Sequence, residues 1–434
     1  MINRLILLAL AVCLIWLATL HAQETSPSPL ARWTNELAAK PSDPAEATRA
    51  WLATVPAEKR AKSDAYFEGG YWLILWNFLA AAAISILLLE SRVSARLRDF
   101  AERATRLRPI QVVLYAIPYF LIVALLSFPL TVYQGFYREH QYGMATQTFG
   151  PWMVDQCKAL LIILIVGPLA LIILYAVLRR ARRMWPIWGT IVAVCLGIFG
   201  NFIAPVFIEP LFNTYKALDD PNIREPILAM ARANQIPVDK VFVVDASRQT
   251  TRIGANVAGL FGTTRIALND NLLKRCSLPE IREVMAHEMG HYVLNHGAKL
   301  TIYFGIFALL GFALTSLFFD RATERWGERW GVHGVGDLAG LPLLTLILSG
   351  YVFIVTPFVN TVTRVTEREA DAFGINTCRE PDGAAMVALK LGEYRKLDPG
   401  PIEEFVFFDH PSGRARIRMA MDWKAANLPA GESR

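Results

Sequence analysis

Cysteine is scarce in this sequence, with five among 434 residues, and the five lie far apart. Disulfide-stapled domains and zinc ribbons both need cysteines at close, regular spacing, so both classes are excluded. One pairing, between Cys276 and Cys378, stays open if their domain lies outside the cytoplasm, where disulfides persist. Histidine is also rare, with seven in the chain, so a local concentration of histidine is informative.

Charge is scarce as well. Charged residues make up 19% of the chain and hydrophobic residues 54%, with a mean hydropathy of +0.33, which indicates a membrane protein. Apolar runs of roughly 17 to 25 residues can cross a hydrocarbon core about 30 Å thick as helices. Six such runs occur, at 72–90, 111–133, 159–178, 184–206, 299–319 and 338–360. The sequence therefore predicts a mostly α-helical, polytopic membrane protein.

The N-terminal region has two interpretations. A shorter apolar run at 5–20 follows a basic start and precedes small and polar residues, so residues 1–22 fit either a signal peptide or a first transmembrane helix. Residues 23–70 are rich in proline, serine, alanine and charge, and they are predicted to be a polar linker with one or two short helices. One of these helices is expected to begin at Pro44, after Asp43 as its cap.

Basic residues concentrate in three short segments between the predicted spans, with six arginines in 92–108, four in 179–183 and three in 320–337. A nucleic-acid surface would need aromatic residues or a soluble basic face around them, and none is visible, so nucleic acid is not an expected partner. Arginines in short loops mark the cytoplasmic side of a membrane. Counting crossings then predicts that 207–298 and 361–434 lie outside the cytoplasm.

Residues 283–296, EVMAHEMGHYVLNH, hold three of the seven histidines and two glutamates. The surrounding segment, 278–298, is predicted to be a helix that continues into the next span. Its start has a serine cap at Ser277 followed by proline and glutamate, which is typical of a helix N-terminus.

Histidines on this helix have the spacing of a metal site. His287 and His291 are four positions apart and point the same way, so both imidazoles can bind one zinc ion. Glu288, next to the first histidine, is placed to act as a general base toward a water molecule. His296 lies five positions beyond His291 and is expected on another face of the helix, as a supporting group.

A catalytic zinc ion needs a third protein ligand, and the best candidate lies in VTEREADAFG at 365–374. Glu367 and Asp371 are four apart on a predicted helix, so one carboxylate can bind the metal while the other orients a ligating imidazole. The hairpin of spans at 299–360 returns the chain to the side that it left. This explains how segments far apart in sequence can share one site.

These motifs resemble those of the type I CAAX prenyl protease family, which are membrane-integral gluzincin metallopeptidases. The shared residues are HEMGHYVLNH at 287–296, EREAD at 367–371 and DHPSGRARI at 409–417. Weaker matches occur at 139–158 and 254–270. The resemblance spans roughly residues 60 to 425 and implies a helical membrane fold that surrounds a chamber.

The resemblance also implies roles for individual residues. One Zn²⁺ per chain would be held by His287, His291 and Glu367. Glu288 would be the general base and then the proton donor to the leaving amine, while Asp371 would orient a ligating histidine. His410 would stabilise the oxyanion that develops on the substrate, and Arg416 would help to hold that end of the site.

Two short strands are predicted at GANVAG and TRIAL, after a first strand at 240–247. An exposed strand edge can hold an extended substrate through main-chain hydrogen bonds. The resemblance implies that Asn256, Val257 and Ala258 form this edge. The family usually has an aromatic residue where Ala258 stands, so this chain departs from the family in its substrate pocket.

The predicted fold class is a mostly α, polytopic membrane protein with six to seven transmembrane helices and a small α+β zinc metalloprotease domain. The predicted order after the linker is transmembrane helices, the first part of the protease domain, a transmembrane hairpin, and the second part with the C-terminal tail. The boundaries are 71–206, 207–298, 299–360 and 361–434.

The predicted function is zinc-dependent endopeptidase activity on peptides or on misfolded membrane and envelope proteins, with the lipid bilayer as the other partner. The predicted location is a bacterial inner membrane, and the arginine distribution places the site on its periplasmic side, where cytosolic prenylated proteins are not met. The alternative is a membrane transporter or scaffold with a non-catalytic metal site. The intact Glu288 and the scarcity of charge within the spans disfavour that alternative. Oligomeric state does not follow from the sequence.

Overall fold

The computed structural model describes residues 43–258 and 264–428. The predicted signal peptide or first helix at 1–22 lies outside the described residues. Most of the described chain is helical. The α-helices, in chain order, are α1 (Pro44–Ala53), α2 (Ala57–Glu90), α3 (Val93–Ala104), α4 (Arg108–Val132), α5 (Arg138–Gln141), α6 (Phe149–Arg180), α7 (Trp185–Ile203), α8 (Pro221–Ala233), α9 (Asp270–Arg275), α10 (Leu278–Val293), α11 (His296–Trp330), α12 (Leu341–Cys378), α13 (Pro381–Leu391), α14 (Pro401–Phe407) and α15 (Gly413–Asn427).

Six helical segments of the described chain are long and apolar enough to cross a membrane. They are Ala57–Glu90, Arg108–Gln141, Phe149–Arg180, Trp185–Leu211, His296–Trp330 and Leu338–Cys378. A π-helical turn at Tyr133–Tyr137 joins α4 to α5 within the second of them. Large apolar side chains on these helices point outward, with Leu125 and Ile354 each 72% exposed, as expected for surfaces that face lipid. The six predicted spans are confirmed, and the chain is an integral membrane protein.

The three arginine-rich segments meet at one end of the helix bundle, here called the arginine end. Arg98 on α3 lies 2.5 Å from the Asp337 carboxylate and donates a 3.3 Å hydrogen bond to the Gly331 carbonyl. Arg179 at the end of α6 donates a 3.0 Å hydrogen bond to the Gly336 carbonyl. These contacts tie the loops that connect the spans to one another, so the arginines lie on a single side of the membrane-spanning bundle.

A four-stranded sheet lies at the opposite end of the bundle, here called the site end. Its strands are β1 (Tyr215–Ala217), β2 (Val241–Val244), β3 (Ala255–Ala258) and β4 (Arg265–Asn269). The spatial order is β1-β2-β4-β3, with β2 and β4 parallel and the other two pairs antiparallel. The predicted strands are confirmed, and β3 forms one edge of the sheet.

The inner strand β4 anchors the sheet to α10. Ile266, Ala267 and Leu268 are all buried, and Ile266 and Leu268 lie in one core with Ile281 and Met285 of the helix. Fully burying one such side chain contributes about 1.5–3 kcal/mol. This packing fixes α10 over the sheet, beside the edge strand β3.

The helix predicted over 278–298 is two helices. Ser277 and Glu280 form a capping box at the start of α10, as expected. The helix ends at Val293, and Asn295 takes a left-handed conformation at φ 55° before α11 begins. Asparagine tolerates this conformation better than most residues, which gives the break a local cause. The prediction of one continuous helix is therefore wrong.

The helix α12 is longer than predicted. It carries the last membrane span and the 365–374 segment as one continuous helix of 38 residues. The predicted domain boundary at 361 falls inside this helix. A single rigid element therefore positions Glu367 and Asp371 with respect to the membrane-spanning bundle.

The N-terminal part of the described chain differs from the predicted linker. Asp43 caps α1 and Pro44 is its first residue, as expected. Leu52 of α1 is buried in a core with Ile417 and Trp423 of α15. Apolar residues within the short helix explain this docking, and residues 57–70 are already the first turns of α2.

The open question of a disulfide is answered for Cys276 and Cys378, because both thiols are free. Cys378 is buried, and its thiol donates to the Glu283 carboxylate with a sulfur–oxygen distance of 2.6 Å. This contact links the end of α12 to α10.

Candidate active site

The site forms where α10 meets α12. The His287 and His291 Nε2 atoms are 3.1 Å apart, and they lie 3.3 Å and 3.5 Å from the two carboxylate oxygens of Glu367. One candidate ligand atom from each residue lies within 4.8 Å of the other two. Two imidazole nitrogens and one carboxylate are the donor set of many catalytic zinc sites.

The orientation of His287 is set by Asp371. Its Nδ1 atom lies 2.9 Å from the Asp371 carboxylate, one helical turn beyond Glu367 on α12. A carboxylate accepts only, so Nδ1 carries the proton and Nε2, beside Glu367, is the candidate metal ligand. An acidic partner of this kind fixes the ring and raises its basicity toward a metal.

His291 is held by a different chain of contacts. His291 Nδ1 lies 2.9 Å from His296 Nδ1, and His296 Nε2 lies 3.0 Å from the Glu369 carboxylate. Because the carboxylate accepts from His296 Nε2–H, His296 Nδ1 is free to accept from His291. His291 Nε2 then presents its lone pair to the site. His296 was expected on another face, but the helix break at Asn295 turns it back toward His291.

The surroundings of His287 and His291 shift the pKa values of the two imidazoles in opposite directions. Burial alone lowers the pKa of His287, but hydrogen bonds to Asp371 and Glu367 outweigh it and raise the pKa to about 10. Burial and the neighbouring His287 lower the pKa of His291 to about 4. A single cation shared by both rings and Glu367 satisfies these opposed tendencies, so the residues fit a metal ion.

Glu288 faces the same place from the second position of the motif. It lines a cavity of about 290 Å³ together with His287, His291 and Glu367. Burial, which disfavours the charged carboxylate, raises the pKa of Glu288 to about 7. A carboxyl group with a pKa near neutrality can both accept and return a proton at physiological pH.

His410 approaches from the loop before α15. Its Nε2 atom lies 3.3 Å from Glu367, and its Nδ1 atom lies 2.7 Å from the neighbouring Asp409 carboxylate. Arg416 on α15 lies 3.4 Å from Glu367 and 3.0 Å from Asp371. The resemblance to the family is what brought His410 and Arg416 into the prediction, and they converge on the same carboxylates.

Three residues of the site were missed by sequence reasoning. Asp409 orients His410, Glu369 accepts from His296, and Glu283 is a buried carboxyl one turn before His287. Burial raises the pKa of Glu283 to about 7. Asp409 precedes the histidine in DHPSG, which is a usable signal. Glu369 resembled a surface residue, and only the helix break reveals its partner.

The edge strand β3 borders the cavity only in part. The cavity is lined by Ile253, Gly254 and Ala255, at the start of the strand. Asn256 and Val257 pair with β4 in antiparallel register further along. The predicted strand edge is therefore adjacent to the cavity, and its lining begins before the three predicted substrate residues.

The weaker sequence matches also meet in space. Arg252, just before β3, lies 2.7 Å from the Glu139 carboxylate, and Glu139 accepts a 2.6 Å hydrogen bond from Tyr66 on α2. This network ties the strand edge to the membrane helices.

A polytopic helical bundle that carries a two-histidine, one-glutamate site with an adjacent free glutamate defines a membrane-embedded zinc metalloprotease. Two family profiles match the chain: Peptidase family M48 over residues 217–424, and the CAAX prenyl protease N-terminal region with five membrane helices over residues 40–214. The chain belongs to peptidase family M48.

Relatives agree with this assignment. The protein titled "Uncharacterized metalloprotease YhfN" of Bacillus subtilis is 32% identical over 349 residues, which cover 79% of this chain and 80% of that protein. The "CAAX prenyl protease 1 homolog" of Arabidopsis thaliana is 29% identical over 292 residues, covering 67% and 68%. The crystal structure of S. mikatae Ste24p matches the fold with a TM-score of 0.73 at 20% identity, covering 90% of this chain and 94% of that one.

Proposed function

We propose that this chain binds one zinc ion through His287, His291 and Glu367 and hydrolyses peptide bonds in unmodified peptides and in misfolded membrane or envelope proteins. The observation that carries the proposal is that the Nδ1 atom of each histidine has its own hydrogen-bonding partner. Asp371 and His296 orient the two rings so that both Nε2 atoms lie beside Glu367, where a metal ion would be held. A surface cluster of polar residues would not need both rings fixed in this way.

The chain's own residues supply the proton transfers. When bound, a zinc ion supplies Lewis acidity that polarises the scissile carbonyl and acidifies a water molecule. Glu288 accepts the proton of the attacking water and returns it to the departing amine. The His410 ring, oriented by Asp409, is the group placed to stabilise the developing oxyanion.

The substrate is proposed to bind as an added strand. β3 is an edge of the sheet, and its start lines the cavity beside Glu288. Main-chain hydrogen bonds along this edge, through Asn256, Val257 and Ala258, would hold an extended peptide of many sequences. This mode suits a protease that acts on unfolded segments.

The proposed location is a bacterial inner membrane with the site on the periplasmic side. The arginine end and the site end are at opposite ends of the spanning helices. The helix α11 shows this, since it begins at His296 in the site and ends at Trp330, one residue after Arg329. Arginine-rich short loops favour the cytoplasmic side, which supports an exported site. A reporter active only outside the cytoplasm, fused after Arg434, tests this: activity is expected, and a silent but expressed fusion would reverse the orientation.

Peptide hydrolysis by the purified protein tests the proposed activity. Zinc-loaded protein should cleave unmodified peptides, lose activity after chelation, and regain it with zinc. Glu288→Ala should abolish cleavage while zinc content is retained, and Glu225→Ala, which removes an exposed carboxylate on α8, is the matched control. Activity that survives proven removal of the metal would rule out the zinc site.

Prenylated substrates test the proposed substrate class. The relatives titled CAAX prenyl protease 1 make farnesylated peptides the necessary comparison. We expect an unmodified peptide to be cleaved at a rate comparable with its farnesylated form. Cleavage of the farnesylated peptide alone would contradict the proposed substrate class and leave the zinc chemistry intact.

A further inference from the structure

Arg395 lies where two cavities of the site end meet. It is in the loop between α13 and α14, and it lines the cavity of about 290 Å³ that contains Glu288 and His410. It also lines a neighbouring cavity of about 600 Å³ that opens between α2 and α12. No step of the proposed hydrolysis uses this side chain.

The guanidinium of Arg395 has no ion pair or hydrogen bond with any residue that the structure describes. It lies over the ring of the neighbouring Tyr394, whose centre is 6.0 Å away. The nearby carboxylates of Asp409 and Glu367 are engaged by His410 and by the ligand histidines. Burial lowers the pKa of Arg395, and the neighbouring Arg416 lowers it further. Arg395 is half-buried, and a cation that is partly removed from water and has no hydrogen-bonded partner favours an anion beside it.

The other arginines of this region differ from Arg395. Arg416 lies 3.0 Å from Asp371, and Arg252 lies 2.7 Å from Glu139. Asp371 and Glu139 thus each lie beside another arginine. Arg395 is therefore a cation of the cavity wall that remains available to a ligand.

Strand addition predicts which part of a substrate reaches Arg395. A peptide that pairs antiparallel with β3 runs in the opposite direction, so its C-terminal part lies beside the start of the strand. That start, Ile253 to Ala255, is the part that lines the cavity. Tyr394 contacts the Ile253 carbonyl at 3.5 Å, which places the residue next to Arg395 against this end. The fragment after the scissile bond thus points toward Arg395.

Resting on the proposed function, we propose that Arg395 binds a carboxylate on the leaving fragment of the substrate and so favours cleavage close to a carboxylate. The carboxylate has two sources, the free C-terminus of a peptide or the side chain of an aspartate or glutamate. A guanidinium recognises either through paired N–H donors. The contact lies away from the reacting atoms, so its loss should appear in KM more than in kcat.

Three peptides of one sequence test this with the zinc-loaded wild-type protein: a free acid, its C-terminal carboxamide, and a carboxamide whose last residue is glutamate. We expect kcat/KM for the free acid to exceed that for the plain carboxamide at least about tenfold, since hydrogen bonds to charged groups have this size. The glutamate peptide distinguishes the sources: equal use of both indicates that any carboxylate suffices. Equal rates for the free acid and the plain carboxamide would overturn the proposal.

Variants assign the effect to this residue. Arg395→Gln should bring the acid-to-amide ratio close to one, Arg395→Lys should keep part of it, and Arg418→Gln, an exposed arginine on α15, should keep all of it. Zinc content monitors folding of each variant. A ratio that persists in Arg395→Gln would refute the assignment.

Binding separates this proposal from the proposed function. The affinity of zinc-loaded Glu288→Gln protein for labelled acid and amide peptides, by fluorescence anisotropy, does not depend on turnover. Tighter binding of the acid that is lost on Arg395→Gln supports the carboxylate site even if no peptide is cleaved. Equal affinities reject it even if peptides are cleaved.

Discussion

The two ends of the membrane bundle contain the same kind of pair in different surroundings. At the arginine end, Arg98 lies 2.5 Å from Asp337. At the site end, Arg416 lies 3.0 Å from Asp371. Both arginines and both carboxylates are largely buried, so burial and pairing alone do not distinguish a structural pair from a functional one.

The difference lies in how completely the polar atoms are satisfied by protein. Asp337 accepts from Arg98 and from the backbone N–H groups of His333 and Ala339, which uses both of its oxygens. At the site end, Asp371 Oδ2 and Arg416 Nε have no hydrogen-bond geometry with any described residue, although they are close. The Arg98–Asp337 pair, whose carboxylate oxygens all accept hydrogen bonds from protein, holds loops together. The Arg416–Asp371 pair lies beside a cavity and has polar atoms that can still bind a ligand.

The largest expected effect is on stability, at the arginine end. Arg98→Met should destabilise the protein by about 3–5 kcal/mol, because Asp337 is left buried without its partner. Thermal unfolding in detergent measures this. The double variant Arg98→Met, Asp337→Leu should recover much of the loss. Activity per folded molecule should not change, and a loss of activity without a loss of stability would break the contrast between the two ends.

At the site end, His410→Ala should reduce kcat on peptides by about 10²–10³-fold, the usual effect of removing an oxyanion donor. The zinc content and the unfolding temperature should stay close to those of the wild type, because the proposed zinc ligands are three other residues. Steady-state kinetics with metal analysis checks this. A variant that loses zinc would instead make His410 part of the metal-binding set.

A smaller effect is expected from the chain behind His291. His296→Ala should weaken zinc binding about 10–100-fold, as removal of the residues that orient metal ligands usually does. Competition with a fluorescent chelator measures the affinity. His333→Ala, an exposed histidine at the arginine end, is the control, and equal affinities in both variants would show that the His291–His296 contact is dispensable.

The smallest effect depends on pH. Burial raises the pKa of Glu283 from 4.5 to about 7, so the folded state binds a proton that the unfolded state releases between these values. Stability therefore falls as pH rises from about 5 to about 7. Glu283→Gln should remove this dependence and unfold at a higher temperature than the wild type at pH 8. Curves that run parallel from pH 5 to pH 8 would contradict this.

Several elements could be predicted because their signals are local. The six spans follow from uninterrupted apolar runs, and the start of α10 follows from Ser277 and Glu280. The spacing of His287, His291, Glu367 and Asp371 predicts their faces because an α-helix repeats every 3.6 residues. His410 and Arg416 were selected from the resemblance to a family, because no helical periodicity points to them.

Other features could not be predicted because they depend on contacts between distant segments. The apolar face of α1 reads as part of a polar linker until α15 supplies its packing partner. The break at Asn295 involves one residue's backbone, yet it decides whether His296 faces lipid or His291.

Hydropathy and helical periodicity act over a few turns, so the membrane-spanning architecture, the candidate metal ligands and the candidate general base follow from the order of residues alone. Tertiary structure alone decided which charges are consumed and which remain available. Asp337 and Arg98 are far apart in sequence and satisfy each other, whereas Arg395 comes to a cavity wall where the neighbouring carboxylates are already engaged. Electrostatic pairing depends on distance in space, which the order of residues does not specify.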